Sequence, residues 1–213
     1  MAIRKKLWTF GDSFTAGGGC RPGDEYFDKY YKEGCKLWPD HLGALLDLET
    51  ANYGRSGASN DTILDIILYY CKSIKKGDTV VIGMTYPQRF DIEVTVDDTP
   101  ALIPITYVWP FPEQDKYVNS LDQEKKETII NYQYHFMRSP LIRDRWVHRY
   151  IALQDILKEK GCHTVLWEVE REVKDIETIE KATSYKISDC HFSFQGHIDF
   201  AKRLYGGYCR PLV

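Results

Sequence analysis

The sequence predicts an α/β protein built on a parallel sheet that helices cover on both faces. Four apolar segments of strand type occur along the chain, at residues 6–10, 49–53, 79–83 and 162–169, and segments of helical spacing separate them. Strands that alternate with helices form βαβ units, whose strands run parallel in one sheet. Because the carboxyl ends of such strands meet at one edge, we expect the functional groups to gather there.

The segments between the strands carry ordinary signals of helix boundaries. These signals are a proline near a first turn, Asn or Asp at a start, and Lys-Lys-Gly at an end. We expect helices over residues 38–46, from Asn60 or Asp61 to about Lys75, over most of 123–160 with an interruption around 138–140, and from Phe194 to Tyr208.

Three stretches do not follow this alternation. Residues 17–36 are rich in glycine and are expected to form a loop over the site, without either of the glycine patterns that bind nucleotide phosphates. Residues 86–122 hold five prolines among β-branched residues, which indicates a hairpin or lid rather than a second domain. Residues 170–187 are charged and predict no clear element.

The composition narrows the class of protein. The 213 residues suffice for one domain with a full-sized core, so we expect a single domain over residues 1–213. A formal net charge of -3 gives no electrostatic reason to expect nucleic acid or an anionic membrane as a partner. Because no signal-peptide pattern or bilayer-length apolar run is present, we expect a cytoplasmic location.

The six cysteines favour free thiols over disulfides or metal ligands. None of them forms a Cys-x-x-Cys pair, which argues against a zinc site. Cys71 and Cys162 lie in apolar segments of predicted elements, and a domain of this length does not need disulfides. We therefore expect reduced cysteines in a reducing compartment.

One stretch near the amino terminus is a candidate active site. The apolar run Leu7–Phe10 ends at Gly11, and Ser13 follows two residues later, directly after Asp12. A serine at the tip of a strand, with glycines freeing the backbone beside it, is well placed to act as a nucleophile. Such a serine needs a base, an orienting acid and a pocket for the oxyanion, which other parts of the chain must supply.

The loop before the last predicted helix holds a candidate base and acid. His191 lies there, with Asp189 two residues earlier, close enough to fix the imidazole tautomer and to stabilise the imidazolium. The alternatives are a histidine that caps the neighbouring helix and a solvated loop acid. Ser193 is expected to cap the last helix, and His197, one turn into it, is expected to be structural. The other histidines are expected to be surface or packing residues.

Three segments resemble the conserved blocks of the SGNH/GDSL hydrolase family. They are Phe10–Ser13, Asn52–Gly57 and Asp189–His191, with Gly196 five residues after the histidine. The resemblance covers nearly the whole chain in the family's order, and it implies a three-layer α/β/α fold with a flavodoxin-like parallel sheet. The segment Gly83–Arg89 also looks like variants found in some phage and environmental members.

The resemblance implies a role for each matched residue. Ser13 matches the nucleophile, His191 the base and Asp189 the acid that orients it, while the N–H groups of Ser13 and Gly57 match the oxyanion-hole donors. Thr85 stands where the family has an asparagine, and its hydroxyl could still donate one hydrogen bond to the oxyanion. Asp189 lies two residues before the histidine, where the family often has three.

Several alternatives stay open at this point. Gly57 could simply permit a turn, Thr85 could be a plain strand-end residue, and Arg89 could bind an anionic substrate group or form an ion pair. Trp109 and the tyrosines of 86–122 could contact substrate or merely pack. The α/β-hydrolase family fits less well, because its nucleophile motif G-x-S-x-G needs a glycine where this chain has Thr15.

Together these residues predict a serine esterase that works through an acyl-enzyme, with no metal and no organic cofactor. The resemblance implies short acyl esters as substrates, especially O-acetyl groups on carbohydrate, so the expected partner is a small-molecule or glycan ester. The alternatives from other classes are a non-catalytic glycan-binding module and a structural component of a viral particle, which would be virion-associated.

Overall fold

A four-stranded parallel sheet forms the centre of the fold. The computed structural model describes residues 4–30, 36–96, 99–105, 118, 121–137, 139–183 and 189–209. The strands in these ranges are β1 (Lys6–Phe10), β2 (Glu49–Asn52), β3 (Thr79–Met84), β4 (Phe90–Val96), β5 (Thr99–Ile105) and β6 (His163–Glu168). The sheet has the order β2-β1-β3-β6, and its central residue pairs place Leu7 between Thr50 and Thr79. Counted among sheet strands alone, this is the 2-1-3-4 order with which flavodoxin-like sheets begin.

Helices occupy the four regions in which the sequence predicts them, and four short helices occur in addition within the described ranges. They are α1 (Ser13–Ala16), α2 (Glu25–Tyr30), α3 (Trp38–Leu46), α4 (Asn60–Tyr70), α5 (Gln123–Tyr132), α6 (Pro140–Glu159), α7 (Val169–Glu172), α8 (Ile179–Ala182) and α9 (Phe194–Leu204). Short π-helical turns follow α5 and α9, and a 3-10 turn follows α7. Within the described ranges, no helix combines the length and the apolar character that crossing a membrane requires.

Helices cover both faces of the sheet and create two apolar layers. Successive residues of a strand point to opposite faces. Leu7 of β1 and Val81 of β3 therefore pack with α3 and α9, whereas Trp8 and Val80 pack with α4 and α6. Because both faces are covered, every residue of β3 is buried. The α/β/α class predicted from the sequence is confirmed.

The helix predicted to run to Lys75 ends earlier, at Tyr70. The Asp78 carboxylate explains the difference, because it accepts a hydrogen bond from the Lys75 backbone N–H at 2.8 Å and others from the Lys6 N–H and the Trp8 indole. The chain after Tyr70 is therefore held in turns rather than in helix. The start is also one residue away from the predicted cap, since Ser59 accepts the hydrogen bond of the Thr62 N–H.

Two other boundaries differ from the sequence prediction. The stretch 17–36 was expected to be a loop, but it contains the short helix α2, while residues 31–35 lie outside the described part. The last α-helix ends at Leu204, and its final turn changes to π-helix at Tyr205–Cys209. Helix propensity alone predicts the ends of helices poorly, because tertiary contacts determine where a helix stops.

The proline-containing stretch 86–122 begins with an antiparallel hairpin. Strands β4 and β5 pair from Phe90 opposite Ile105 to Val96 opposite Thr99. The hairpin prediction is thereby confirmed for this part. Trp109 and the rest of residues 106–117 lie outside the described ranges, so the expected substrate contact of Trp109 and the expected lid stay predictions.

Candidate active site

The turn after β1 presents Ser13 at the carboxyl edge of the sheet. The Asp12 side chain caps α1 by accepting a hydrogen bond from the Phe14 N–H at 3.0 Å, and Ser13 is the first residue of that helix. Gly17 ends the helix after one turn in the left-handed conformation, with φ 81°, which suits glycine. Ser13 thus lies at the end of β1 on one capped helical turn, with 7% of its surface exposed.

The His191 ring bridges Ser13 and Asp189. Its Nε2 lies 2.7 Å from the Ser13 Oγ, and its Nδ1 lies 2.6 Å from the Asp189 Oδ1. With a proton on Nδ1 facing the carboxylate, Nε2 is free to accept the hydrogen bond of the serine hydroxyl. This is the arrangement in which an imidazole can take a proton from a serine.

The two-residue spacing between Asp189 and His191 is compatible with this contact. One Asp189 oxygen accepts hydrogen bonds from both the His191 backbone N–H, at 2.8 Å, and the His191 ring. Partial burial acts to raise the pKa of Asp189, but the hydrogen bonds from the ring and backbone of His191 outweigh it and hold that pKa below its ordinary value. Asp189 is therefore ionised at neutral pH and oriented toward the imidazole.

Two glycines of the Gly17–Gly19 run let the chain approach this pair closely. A Cβ on Gly18 would lie 2.9 Å from Nε2 of the His191 ring, and one on Gly19 would lie 2.8 Å from the Asp189 Oδ2. A side chain at either position would push the acid or the base away. Sequence reasoning treated this run only as part of a loop. The signal in the sequence was a run of three adjacent glycines that begins four residues after Ser13.

The loop that carries Asp189 and His191 is fixed on both sides. The backbone N–H of Ile179 donates to the His191 carbonyl at 2.8 Å, and that of Glu180 donates to the Asp189 carbonyl at 2.9 Å. On the other side Ser193 caps α9, accepting a hydrogen bond from the Gly196 N–H at 3.0 Å. The expected cap is present, and α8 adds an anchor that the charged stretch 170–187 did not predict.

Beneath Ser13 lies a buried ion pair between Asp12 and Arg89. The Arg89 guanidinium donates to the Asp12 Oδ2 at 2.9 Å and also to the Thr85 hydroxyl at 2.9 Å. Arg89 additionally stacks its guanidinium over the Tyr86 ring, at 5.2 Å from the ring centroid. Of the two roles left open for Arg89, the structure shows the ion pair.

The geometry of Thr85 does not fit the expected oxyanion role. Its side chain is buried, and its hydroxyl donates to the Asp12 Oδ2 at 2.6 Å. A hydroxyl has one proton, so the Thr85 hydroxyl in this arrangement has none left for a substrate oxygen. Thr85 instead helps to hold Asp12, which caps α1. Asn60 holds the Thr85 backbone in turn, through its N–H and its carbonyl, both at 3.1 Å.

The loop after β2, which ends in Gly57, packs directly against the turn of Ser13. The Arg55 N–H donates to the Gly11 carbonyl at 2.9 Å, and the Asn52 side chain donates to the Thr15 carbonyl at 2.9 Å. Gly57 adopts φ 78°, so glycine also suits its turn. In the described part of the chain, neither the Ser13 N–H nor the Gly57 N–H has a hydrogen-bond partner in the structure, which leaves both available to a ligand.

One cluster of possible metal ligands occurs among the described residues. The ligand atoms of Asp189, Cys190 and His191 lie within 4.8 Å of one another. Two of these side chains already bond to each other, and the ring also bonds to Ser13, so an ion there would have to replace those hydrogen bonds. Cys71, Cys162 and Cys190 are free thiols, as expected.

His197 has the structural role expected for it. Its ring is buried, and its Nδ1 accepts a hydrogen bond from the Trp38 N–H at 3.2 Å. Burial, with smaller contributions from His41 and His191, lowers the pKa of His197 to about 3. The ring is therefore neutral at physiological pH, and it ties α9 to α3.

Comparison with known proteins gives likenesses to solved structures only. The chain matches no protein-family model and no curated protein. A putative lipolytic protein of the G-D-S-L family from Desulfitobacterium hafniense DCB-2 aligns over 93% of this chain and 97% of its own, with 13% identity and a TM-score of 0.37.

Two structures of Axe2 mutants are also similar. One, of an acetyl-xylooligosaccharide esterase from Geobacillus, aligns over 97% of this chain and 95% of its own, with 15% identity and a TM-score of 0.38. The other, a catalytic mutant described as an acetylxylan esterase from Geobacillus stearothermophilus, has the same coverage, 14% identity and a TM-score of 0.36. None of the three is described as a phage protein. At these scores the likenesses add no argument, and the function has to be inferred from the site itself.

Proposed function

We propose that the protein is a serine esterase with Ser13 as nucleophile, His191 as general base and Asp189 as the residue that orients the base. One observation carries the proposal, namely the continuous hydrogen-bonded series from the Ser13 Oγ through the His191 ring to the Asp189 carboxylate, at 2.7 and 2.6 Å. Serine, imidazole and carboxylate in this order are the parts that acyl transfer requires.

The reaction has two steps in this scheme. The Ser13 oxygen attacks the ester carbonyl while His191 Nε2 takes the hydroxyl proton, and the imidazolium then gives that proton to the departing alcohol. Water next attacks the acyl-enzyme by the same proton path and releases the acid. Asp189 stays ionised throughout and stabilises the imidazolium, which agrees with its lowered pKa.

We assign the oxyanion pocket to the backbone N–H groups of Ser13 and Gly57. Both are without a partner in the described chain, and two backbone donors suffice to stabilise a tetrahedral oxyanion. Thr85 is left out of this pocket because its proton is donated to Asp12. Asp12 balances the charge of Arg89. In this scheme the ion pair holds Asp12 in place, and Asp12 caps the helix that begins at Ser13.

The proposed substrates are short acyl esters, with O-acetyl groups on carbohydrate as the preferred class. This choice rests on the family resemblance of the sequence, because the triad itself does not recognise the leaving group. The scheme requires neither a metal nor an organic cofactor, and it places no nucleic acid and no membrane among the partners.

A rival function is a non-catalytic glycan-binding module or a structural component of a viral particle. One observation favours this rival. Thr85 stands at the position of the family asparagine, but its hydroxyl donates to Asp12 and cannot also donate to an oxyanion. The rival keeps the fold and the pocket but predicts no turnover.

Hydrolysis of a p-nitrophenyl ester series from acetate to octanoate separates the two. The esterase proposal predicts turnover of the short esters, and Ser13→Ala should reduce kcat by at least about a thousandfold. The unfolding free energy should stay within about 0.5 kcal/mol of the wild-type value, because only one hydroxyl is removed.

Ser59→Ala is a poor control here, because it removes a helix cap, whereas the exposed Ser56 offers a matched one. Ser56→Ala removes a hydroxyl from the Gly57 loop and should leave kcat unchanged. Equal turnover by wild type and Ser13→Ala would refute the assignment of the nucleophile. No turnover of any ester by wild type would favour the rival.

A further inference from the structure

A groove of about 390 Å³ runs along α4, and none of the three residues of the proposed triad lines it. Its walls include Arg55, Thr62, Asp65, Tyr69, Tyr70 and Pro104, so that α4 forms one side and the hairpin strand β5 contributes to the other. This volume is within the range of small-molecule binding sites. The residues of α4 in the groove recur every three or four positions, so the groove follows one face of the helix.

One end of the groove adjoins the proposed oxyanion pocket. Arg55 and Ala58, which flank Ser56 and Gly57, both line the groove. The Arg55 backbone is bonded to Gly11, in the turn that presents Ser13. A helix of eleven residues is about 16 Å long, so the groove leads from the neighbourhood of Gly57 along α4 toward Tyr70. An ester whose carbonyl oxygen lies at the Gly57 N–H could therefore extend one substituent into it.

The far part of the groove offers a fixed aromatic surface. Tyr69 is 80% exposed, which is unusual for so large a ring. It stands edge-on to Tyr70, with ring centroids 5.0 Å apart and an interplanar angle of 84°, and Tyr70 is itself packed on Tyr53 at 4.0 Å. Tyr69 is thus supported by a tyrosine that reaches into the core, and its ring is presented to solvent in a defined orientation.

The same groove carries opposite charges that a ligand could use. Arg55 and Asp65 are both exposed, and neither has an ion-pair partner within the described residues. The Thr62 hydroxyl donates to the Asp91 carboxylate at 2.7 Å, so its oxygen remains able to accept a hydrogen bond. Polar groups therefore lie beside apolar and aromatic surface in one open groove, whose remaining lining residues are Ala58, Ile66, Tyr69, Tyr70 and Pro104.

We propose that this groove binds the sugar rings of the ester substrate, on the alcohol side of the scissile bond. A pyranose has apolar C–H faces, which pack on aromatic rings, and hydroxyl edges, which suit a mixture of donors and acceptors. An acyl chain would need an apolar tunnel, whereas Arg55 and Asp65 lie in this groove. The proposal rests on the esterase function proposed above and names the substrate part that it would recognise.

The test compares two substrates in matched variants. Tyr69→Ala should raise KM for partially acetylated neutral tetrasaccharides by at least about tenfold, equivalent to about 1.4 kcal/mol of binding, and should leave kcat/KM for p-nitrophenyl acetate unchanged, because that ester is too small to reach Tyr69. Leu68→Ala is the control. Leu68 is 51% exposed on the same helix but does not line the groove, so this variant should behave as wild type with both substrates.

A binding measurement keeps the outcome independent of catalysis. Calorimetric titration of the Ser13→Ala protein with unesterified tetrasaccharides of glucose, xylose and mannose should show binding of at least one of them, lost when Tyr69→Ala is added. If none binds, the groove proposal is wrong even though p-nitrophenyl acetate is hydrolysed. It is equally overturned if Tyr69→Ala alters selectivity between acetate and octanoate esters, since the groove would then hold the acyl chain. If p-nitrophenyl acetate is not hydrolysed but the sugar binds at Tyr69, the groove stands and the esterase function fails.

Discussion

Two carboxylates lie near Ser13, the proposed nucleophile, and their surroundings are very different. The Asp12 side chain is 0% exposed and pairs with the Arg89 guanidinium at 2.9 Å, whereas the Asp189 side chain is 26% exposed and pairs with the His191 imidazole at 2.6 Å. A guanidinium keeps its charge at all ordinary pH values, but an imidazole gains and loses a proton near neutrality. The first acid is therefore suited to fixing structure and the second to supporting proton transfer.

Closeness to Ser13 in the sequence does not determine which aspartate contacts the His191 ring. Asp12 is the direct neighbour of Ser13, yet both of its oxygens are engaged, one by the Phe14 N–H and the other by Thr85 and Arg89. Asp189 is 176 residues from Ser13 in the chain. It reaches the site because the loop before α9 returns to the carboxyl edge of the sheet.

The largest effect is expected from neutralising Asp189, the acid of the proposed triad. Asp189→Asn should lower kcat by about two to four orders of magnitude, the range for a positioned acid–base group, because an amide can favour the wrong imidazole tautomer. Stability should change little, since the side chain is partly exposed. Steady-state kinetics across pH 5–9 will test this, with denaturant unfolding as the control. An unchanged plateau rate would mean that His191 is oriented by another group.

Removing Arg89, the ion-pair partner of Asp12, should lower the stability of the protein. Arg89→Met leaves the Asp12 charge buried without its cation, and the loss of unfolding free energy should be about 3–5 kcal/mol. The double variant Asp12→Asn with Arg89→Met removes both charges and should recover a large part of that loss. If the double variant is no more stable than Arg89→Met, the ion pair is not the reason for the destabilisation.

Thr85→Val tests whether the Thr85 hydroxyl stabilises the Asp12 carboxylate or contributes to catalysis. The hydroxyl bonds to the Asp12 carboxylate and accepts from Arg89, so its loss should cost about 1.5–3 kcal/mol of stability, the range for hydrogen bonds to charged groups. We expect kcat to change by less than about tenfold. A fall of about a hundredfold or more in kcat at unchanged stability would return Thr85 to the oxyanion pocket.

A smaller effect, on the pH dependence of stability, is expected from His197 in α9. Because the pKa of His197 is about 3 in the folded protein and about 6.5 in an unfolded chain, the unfolded state binds the extra proton between these values. His197 should therefore contribute a loss of about 2 kcal/mol in the unfolding free energy as the pH falls from 6.5 to 4.5, and no change above that window.

His197→Asn is the matched variant for this measurement, because the Asn oxygen can accept the Trp38 N–H bond as Nδ1 does but does not titrate. The difference between the two pH profiles of unfolding isolates the histidine. Parallel profiles for wild type and His197→Asn would contradict the assignment.

Local sequence patterns predicted the sheet and the candidate triad because those signals are short-range. Strand β3 is a continuous apolar run, and Ser13 and the Asp189–His191 pair lie at turn signals beside predicted elements. The Arg89–Asp12 pair joins residues 77 positions apart, and no periodicity indicates such a contact. For the same reason the sequence suggested a free Thr85 hydroxyl, whereas tertiary structure gives that hydroxyl an acceptor.

Covalent labelling with a fluorophosphonate, followed by mass spectrometry of the modified peptide, tests most directly whether Ser13 is the nucleophile. We expect one adduct, on Ser13, formed in the wild-type protein and in Arg89→Met to the extent that this variant is folded. We also expect that Ser13→Ala abolishes labelling and that Asp189→Asn slows it, since an oriented His191 is needed to activate the hydroxyl. Labelling of another serine, or no labelling of a folded protein that hydrolyses esters, would show that Ser13 is not the nucleophile.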